Sequence, residues 1–261
     1  MNWKLFWILL AGVVLYVVAI WSYHSKTCPD RYSGYVDLPR ILEPLQIPSI
    51  QHVVYINLAK RLDRKNAVEQ ELRQLDWAPV RIDAVEHHIG PMGCSLSHIR
   101  ALEYAQSQQW PHVLICEDDL QFRRSPREIQ AQLKVLLEHE TKWDVVLFGA
   151  HVHRVQKRSW KGCVRVLEGN LAHCYLVRRA YYPTLLHNFR AGMERYQNHP
   201  TENLKYALDI FWCSLQERDQ WLMPVPILAY QRSSYSNNVH TQVEHTDSID
   251  QALESALRQQ A

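Results

Sequence analysis

Three adjacent carboxylates, Glu117, Asp118 and Asp119, follow directly on the apolar run Val113–Leu114–Ile115–Cys116. A buried strand that empties into three acids is costly unless a cation or a set of donors offsets their charge. The carboxyl end of a strand in an α/β sheet is also where ligands are held. Together these features point to metal-assisted chemistry. Oxygen ligands suit Mn²⁺ or Mg²⁺. Asp119 is the firmest candidate ligand, with Glu117 completing the pair directly or through water. On a continuing strand the two would point the same way. If the chain turns at Asp118, that residue would instead meet the ribose or the cation. A solvated loop or a helix cap is the alternative without function.

Other side chains at strand ends could complete such a site. Asn57, Arg61 and Arg64 follow an apolar run that ends at Ile56, and an arginine there could clamp a diphosphate with its bidentate fork. The alternative is that Asp63 and Arg64 merely begin a helix in solvent. Asp83 ends a second run and could accept a uridine or ribose hydroxyl, or cap a turn. Ser97 and His98 follow a glycine-rich bend. They could approach the donor, or His98 could be a core histidine bonded to main chain. Direct displacement at a sugar needs a carboxylate to take the acceptor proton. Asp209, in the apolar segment Ala207–Leu208–Asp209–Ile210–Phe211–Trp212, is the candidate base outside the acidic cluster, a helix–helix salt bridge being its structural alternative. Glu117 and Asp209 are thus the candidate catalytic carboxylates. Gln231, in a proline-rich extended stretch, is a further donor-side candidate.

The elements that must position these residues are legible as patterns. His52–Asn57, Val80–Ala84, Val113–Cys116 and Asp144–Gly149 read as strands. Between them, Leu62–Leu75, Cys94–Gln108 and Pro126–Leu137 read as helices, the last opened by Ser125–Pro126. Gly90, Pro91 and Gly93 are expected to break the chain ahead of Cys94. This alternation argues for a mostly parallel, Rossmann-like sheet covered on both faces. Beyond Gly149 the rhythm changes. Strands are expected at Cys163–Val166 and Ala172–Val177 around a Gly169–Asn170 turn, and helices at Tyr181–Phe189 and Leu204–Glu217. Trp221–Gln231 reads as extended, and Ile249, Leu253 and Leu257 form the apolar stripe of a final helix.

The chain has 261 residues, with 29 basic and 27 acidic side chains for a formal charge of +2. That balance excludes the broad basic footprint of a nucleic-acid binder. The hydrophobic share of 47% supports a full core. The six cysteines form no CxxC pair and fit neither a zinc module nor a dense disulfide scaffold. Leu5–Trp21 is an uncharged run of seventeen residues. As a helix it rises about 26 Å, near the lower limit for a membrane span. Trp3, Trp7, Trp21 and Tyr23 are suited to the two interfaces. Residues 1–23 are therefore expected to be a transmembrane signal-anchor. Residues 24–50 read as a proline-bearing stalk, 51–240 as the catalytic domain and 241–261 as a helical tail. Lys4 precedes the run, whereas Lys26, Arg31 and Arg40 follow it. That count favours a cytoplasmic domain; a lumenal Golgi or endoplasmic-reticulum domain is the alternative if the chain is eukaryotic.

In order along residues 52–237, the chain resembles glycosyltransferase family 25, the lipooligosaccharide-type galactosyltransferases. The likeness rests on Val54–Tyr55–Ile56–Asn57–Leu58 with Arg61, Asp63 and Arg64; on Gly93–Cys94–Ser95–Leu96–Ser97–His98; and on Glu117–Asp118–Asp119 with Phe122. Looser matches follow at Tyr175–Leu176, at Asp209 with Trp212, and from Pro226 to Ser236 with Gln231. The resemblance implies a GT-A-like nucleotide-sugar fold and transfer of galactose or a related hexose from a UDP donor. The acceptor class it implies is a glycolipid, lipooligosaccharide, glycoprotein or other glycan. Many members carry an acidic residue after a serine near positions 236 to 237, where this chain has Asn237. A metal-dependent nucleotidyltransferase and a catalytically inactive glycan-binding scaffold are the competing expectations. The first would show a basic or glycine-rich phosphate loop, and none is apparent.

Overall fold

The computed structural model describes residues 49–199, 203–232, 234–236, 241–243 and 246–259. The apolar run at 5–21, the segment 24–48 and Asn237 lie outside the described residues. Among those residues no helix is long and apolar enough to cross a membrane.

In chain order the first half comprises β1 (Val53–Asn57), α1 (Leu62–Arg73), β2 (Val80–Asp83), α2 (Gly90–Ser107), β3 (His112–Glu117), β4 (Leu120–Phe122), α3 (Pro126–His139) and β5 (Val145–Leu147). The second half comprises β6 (His151–Lys157), β7 (Cys163–Asn170), β8 (Cys174–Arg178), α4 (Tyr182–Asn198), α5 (Leu208–Phe211), α6 (Cys213–Gln216), β9 (Trp221–Pro224), β10 (Ala229–Gln231), β11 (Ser234–Ser236), β12 (Thr241–Val243) and α7 (Thr246–Arg258). Eight strands form one sheet in the order β2-β1-β3-β8-β5-β9-β7-β6.

The sheet is mixed rather than mostly parallel. β1 runs parallel to β2 and β3, and β5 parallel to β9, but β8 lies antiparallel between β3 and β5. The strand–helix alternation does not reveal this, because β5 is not the sheet neighbour of β3. The chain inserts β8 between them only after two more strands. The expected Gly169–Asn170 turn is also absent. β7 continues through both residues, pairing Val152 with Gly169 and His151 with Asn170. The strand β6 was not anticipated: its polar sequence His151–Lys157 lacks an apolar alternation.

Both faces of the sheet are apolar, and strand parity assigns each residue to a face. Val54, Ile56, Val113, Ile115, Tyr175 and Val177 share one core cluster, with contributions from α2, α4 and α7. Val53, Tyr55, Leu114, Cys116, Cys174 and Leu176 share the other, with contributions from α1 and α3. Parity continues into the polar residues that end these strands. Glu117 falls on the side of α2, and Asn57 on the side of α1.

Helix starts follow local chemistry. Pro91 occupies the first turn of α2, so Gly90 and Pro91 open this helix rather than break the chain before it. α3 begins with a complete capping box, Ser125 accepting from the Glu128 amide while the Glu128 carboxylate accepts from the Ser125 amide. The expected long helix over 204–217 is divided into a 3-10 turn and two short helices. In α7, Ile249 and Leu253 are buried in the domain core. Their stripe therefore docks on the sheet, and α7 is held further by an Arg123–Asp250 ion pair.

Candidate active site

The acidic triplet stands where β3 stops. Residues 118 and 119 form a turn before β4, so the three carboxylates separate. Glu117 turns toward α2, where its Oε1 lies 3.1 Å from His98 Nε2 and 4.0 Å from Cys94 Sγ. Asp118 and Asp119 turn toward α1, where Arg64 Nη1 donates to both, at 2.9 Å and 3.1 Å. The carboxylate-x-carboxylate pair thus opens out, and Asp118 takes the position beside Asp119 that a turn at this residue allows.

Asn57 fixes the turn from the end of β1. Its Nδ2 donates to Asp118 Oδ2 at 2.7 Å and to the Arg61 carbonyl at 3.1 Å. Its Oδ1 accepts from Arg81 Nε at 3.2 Å. The register places Asn57 beside Asp83 and Ile56 beside Glu117, so parallel pairing brings these polar ends to one edge of the sheet.

The fourth contributor comes from far along the chain. Gln231 Nε2 donates to Asp119 Oδ2 at 3.0 Å, and the Arg232 amide donates to the Asp119 carbonyl at 2.7 Å. Antiparallel pairing of β10 with β4 aligns Gln231 with Leu120. This strand reaches the site by crossing over Phe148 and Gly149. The Leu228 and Ala229 amides both donate to the Phe148 carbonyl, and a Cβ at Gly149 would stand 2.1 Å from the Ala229 carbonyl oxygen.

Asp119 is therefore held on one oxygen only. Oδ2 accepts from Arg64 and Gln231, while Oδ1 is buried with no partner among the described residues, on a side chain 7% exposed. Burial, then the charges of Glu117 and Asp118, push its carboxyl up to about 7. Asp118 is also raised, by burial and Glu117, against the pull of Arg64 and Asn57. Burial would raise Glu117 too. The hydrogen bond and charge of His98, with His173 and Arg64, outweigh it and hold Glu117 below its ordinary value. Oxygen atoms from Asp118 and Asp119, one of them orphaned, fit a hard divalent cation such as Mn²⁺ or Mg²⁺.

A second constellation lies on the α2 side of the same strand end. Cys94, His98 and Glu117 each offer one ligand atom, and these atoms lie within 4.8 Å of one another. His98 is buried, and its Nδ1 pairs with the Tyr175 hydroxyl at 3.0 Å. Burial and the charges of Glu117, Asp209 and Asp119 push the Cys94 thiol well above its ordinary range. Cys94 is not among the site residues expected above, although its i, i+4 spacing with His98 on a helix is visible in the sequence. The parity that turns Glu117 toward them needs the strand boundary.

The remaining candidates sit at graded distances from the acids. Arg61 pairs with Asp63 beside it at 2.8 Å, and its charge also feels Asp118 and Asp119. Asp83 is exposed and bound to Arg81 at 2.6 Å. The Ser97 hydroxyl donates to the Gly93 carbonyl at 2.6 Å and accepts from the Val85 amide at 2.8 Å. It anchors the segment between β2 and α2 instead of facing the acids. Gly93 allows that approach, since a Cβ there would lie 2.6 Å from the Val85 carbonyl oxygen. Asp209 lies in the first turn of α5, and its Oδ2 accepts from the Leu171 amide at 3.0 Å. Leu171 has φ 79°, a left-handed conformation that a branched residue holds only when its surroundings enforce it.

No protein-family model matches this chain, and no curated protein sequence matches it significantly. Among solved structures, it is similar to a glycosyltransferase involved in the glycosylation of the major capsid of PBCV-1, with TM-score 0.44 and 8% identity over 79% of this chain and 100% of that one. It is similar to mannose-1-phosphate geranyltransferase from Thermus thermophilus, with TM-score 0.42 and 9% identity over 67% and 73% of the two chains. UDP-glucose pyrophosphorylase complexed with UDP-glucose gives TM-score 0.40 and 6% identity over 81% and 100%. These likenesses are remote, at low identity throughout.

Proposed function

We propose that this chain is a GT-A-like glycosyltransferase of the family 25 type, moving a hexose, most simply galactose, from a UDP donor to a glycan or glycolipid acceptor. The observation that carries this reading is the orphaned, buried Oδ1 of Asp119 beside Asp118 at a strand-end edge lined by arginine and amide donors. A buried carboxylate atom with no donor is costly. A divalent cation would satisfy it. The ordered motifs through residues 54–64, 93–98 and 117–122 support the same reading.

In this reading Asp118 and Asp119 hold Mn²⁺ or Mg²⁺, which when bound offsets the charge of the departing diphosphate. Arg64 spans both carboxylates and orients them. In the same reading Arg64 and Arg61 are the donors to a phosphate oxygen, Arg61 through a guanidinium that is only partly exposed. Asn57 and Gln231 keep the two acids fixed with neutral amide donors. Asp209 takes the proton from the acceptor hydroxyl as the sugar is displaced with inversion. The chain is anchored through residues 5–21, which keeps the domain beside a membrane-borne acceptor.

The test is UDP release by the detergent-solubilised full-length chain with Mn²⁺ and a panel of UDP-sugars, beside Asp119→Ala. Release with one donor that is lost in the variant supports the proposal. No release and no UDP binding with any donor overturns it.

A further inference from the structure

We propose that Cys94, His98 and Glu117 form a second metal site, one that takes a borderline divalent ion of the zinc class. The two helical ligands are spaced i, i+4 on the first turns of α2, so they project from one face. The third arrives from the end of β3 because strand parity turns it toward that helix. A tetrahedral zinc-class ion, with bonds of about 2.0 Å to nitrogen or oxygen and 2.3 Å to sulfur, sets its ligand atoms about 3.3 to 3.6 Å apart. The separations of 3.1 Å for His98–Glu117 and 4.0 Å for Cys94–Glu117 straddle that range.

The surroundings carry the features of a metal site. Tyr175 contacts His98 Nδ1, as the outer partner of a ligating imidazole does, and leaves Nε2 toward the other ligands. Sulfur and imidazole distinguish this set from the all-oxygen pair of Asp118 and Asp119, and they select a softer ion than Mg²⁺.

Charge and proton balance are consistent. Without metal, His98 Nε2 pairs with Glu117 and Nδ1 with the Tyr175 hydroxyl, and Cys94 is a thiol. On binding, the Cys94 proton leaves to solvent. The ligating imidazole carries one proton, on Nδ1, where it donates to the Tyr175 oxygen, and any proton on Nε2 leaves as the ion binds. The ion's two positive charges then meet one thiolate and one carboxylate, so the ligated set is neutral. The ion would join the start of α2 to the residue immediately before Asp118. It fixes Glu117 independently of any sugar nucleotide.

Co²⁺ is the probe. The chelator-stripped, full-length chain in detergent is titrated with Co²⁺, and the near-ultraviolet thiolate-to-cobalt band is recorded. The proposal expects one saturable equivalent with this band, displaced by Zn²⁺ and retained in Asp119→Asn. The band is absent in Cys94→Ser, and binding is at least tenfold weaker in His98→Gln. If Cys94→Ser does not fold, His98→Gln carries the same comparison. Absence of the band in the wild-type chain, or its persistence in a folded Cys94→Ser, overturns the proposal. UDP binding, followed in parallel, separates this outcome from failure of the transferase reading.

Discussion

Gln231 donates to Asp119 across 112 positions of sequence, at 3.0 Å. The contact joins the end of β10 to the turn after β3. It also decides which Asp119 oxygen stays open, since Arg64 occupies the same Oδ2. Replacing Gln231 by Leu removes this donor without enlarging the site. UDP release is expected to fall about tenfold, the scale of one hydrogen bond to a charged group. Steady-state rates at saturating donor and metal measure it.

Asp119→Asn keeps the volume of the side chain and one acceptor oxygen but removes its charge. Metal-dependent UDP release is expected to drop by about 10² to 10³, comparable to losing one electrostatic contact at a reacting phosphate. Folding is expected to persist. A rate within threefold of wild type would argue against Asp119 as a metal ligand.

Arg64→Ala strips the shared cation from two largely buried carboxylates. In chelator, the variant is expected to lose about 2 to 4 kcal/mol of stability, because the acids are left unpaired. Excess Mn²⁺ is expected to restore much of it. Urea unfolding with and without the metal provides the comparison. Equal losses in both conditions would place no cation between these acids.

Asp209→Asn retains an oxygen able to accept from the Leu171 amide, so the left-handed turn there is preserved. The catalytic rate is expected to fall by about 10² to 10⁴, the range of a lost general base, with donor KM unchanged. A rise in KM with an unaltered rate would assign Asp209 to binding instead.

His112 provides a pH prediction away from the site. It is buried at the start of β3, accepts from the Gln51 amide at 3.3 Å, and burial together with the His52 charge lowers it to about 4. The unfolded chain protonates near 6.5 and the folded chain only near 4, so the unfolded state binds more protons between them. Stability from this group is complete above pH 6.5 and is lost as pH falls through 4, by about 3 kcal/mol. His112→Gln is expected to flatten that part of the urea midpoint profile.

Much of the first half of the fold was legible because its segments carry their own periodicity. β1, α1, β2, β3 and α3 begin within a residue or so of their apolar patterns, and the Ser125 cap is a local signal. The strand order was not legible. Whether β5 or β8 lies beside β3 depends on pairing between distant segments, and apolar runs such as Val145–Leu147 and Cys174–Val177 look alike in that respect. The convergence of Asn57, Arg64 and the acids followed from their places at strand ends. The turn that separates Glu117 from Asp119 lies beyond the reach of pattern alone. It is what moves Glu117 to the company of Cys94 and His98.

The crossing of residues 228–231 over Gly149 also sets an order of events during synthesis. A nascent chain folds from its N-terminus as it emerges, yet Asp119 cannot acquire its Gln231 donor until the strand after Pro226 has been made. β9 must likewise enter between β5 and β7, which are complete long before it. A ribosome-bound intermediate that ends before Trp221 leaves the place of β9 between β5 and β7 unfilled, and one that ends before Gln231 has an acidic turn without its second donor. The site is thus completed late, and termination between β8 and Gln231 would yield a chain with most of its strands but no finished centre.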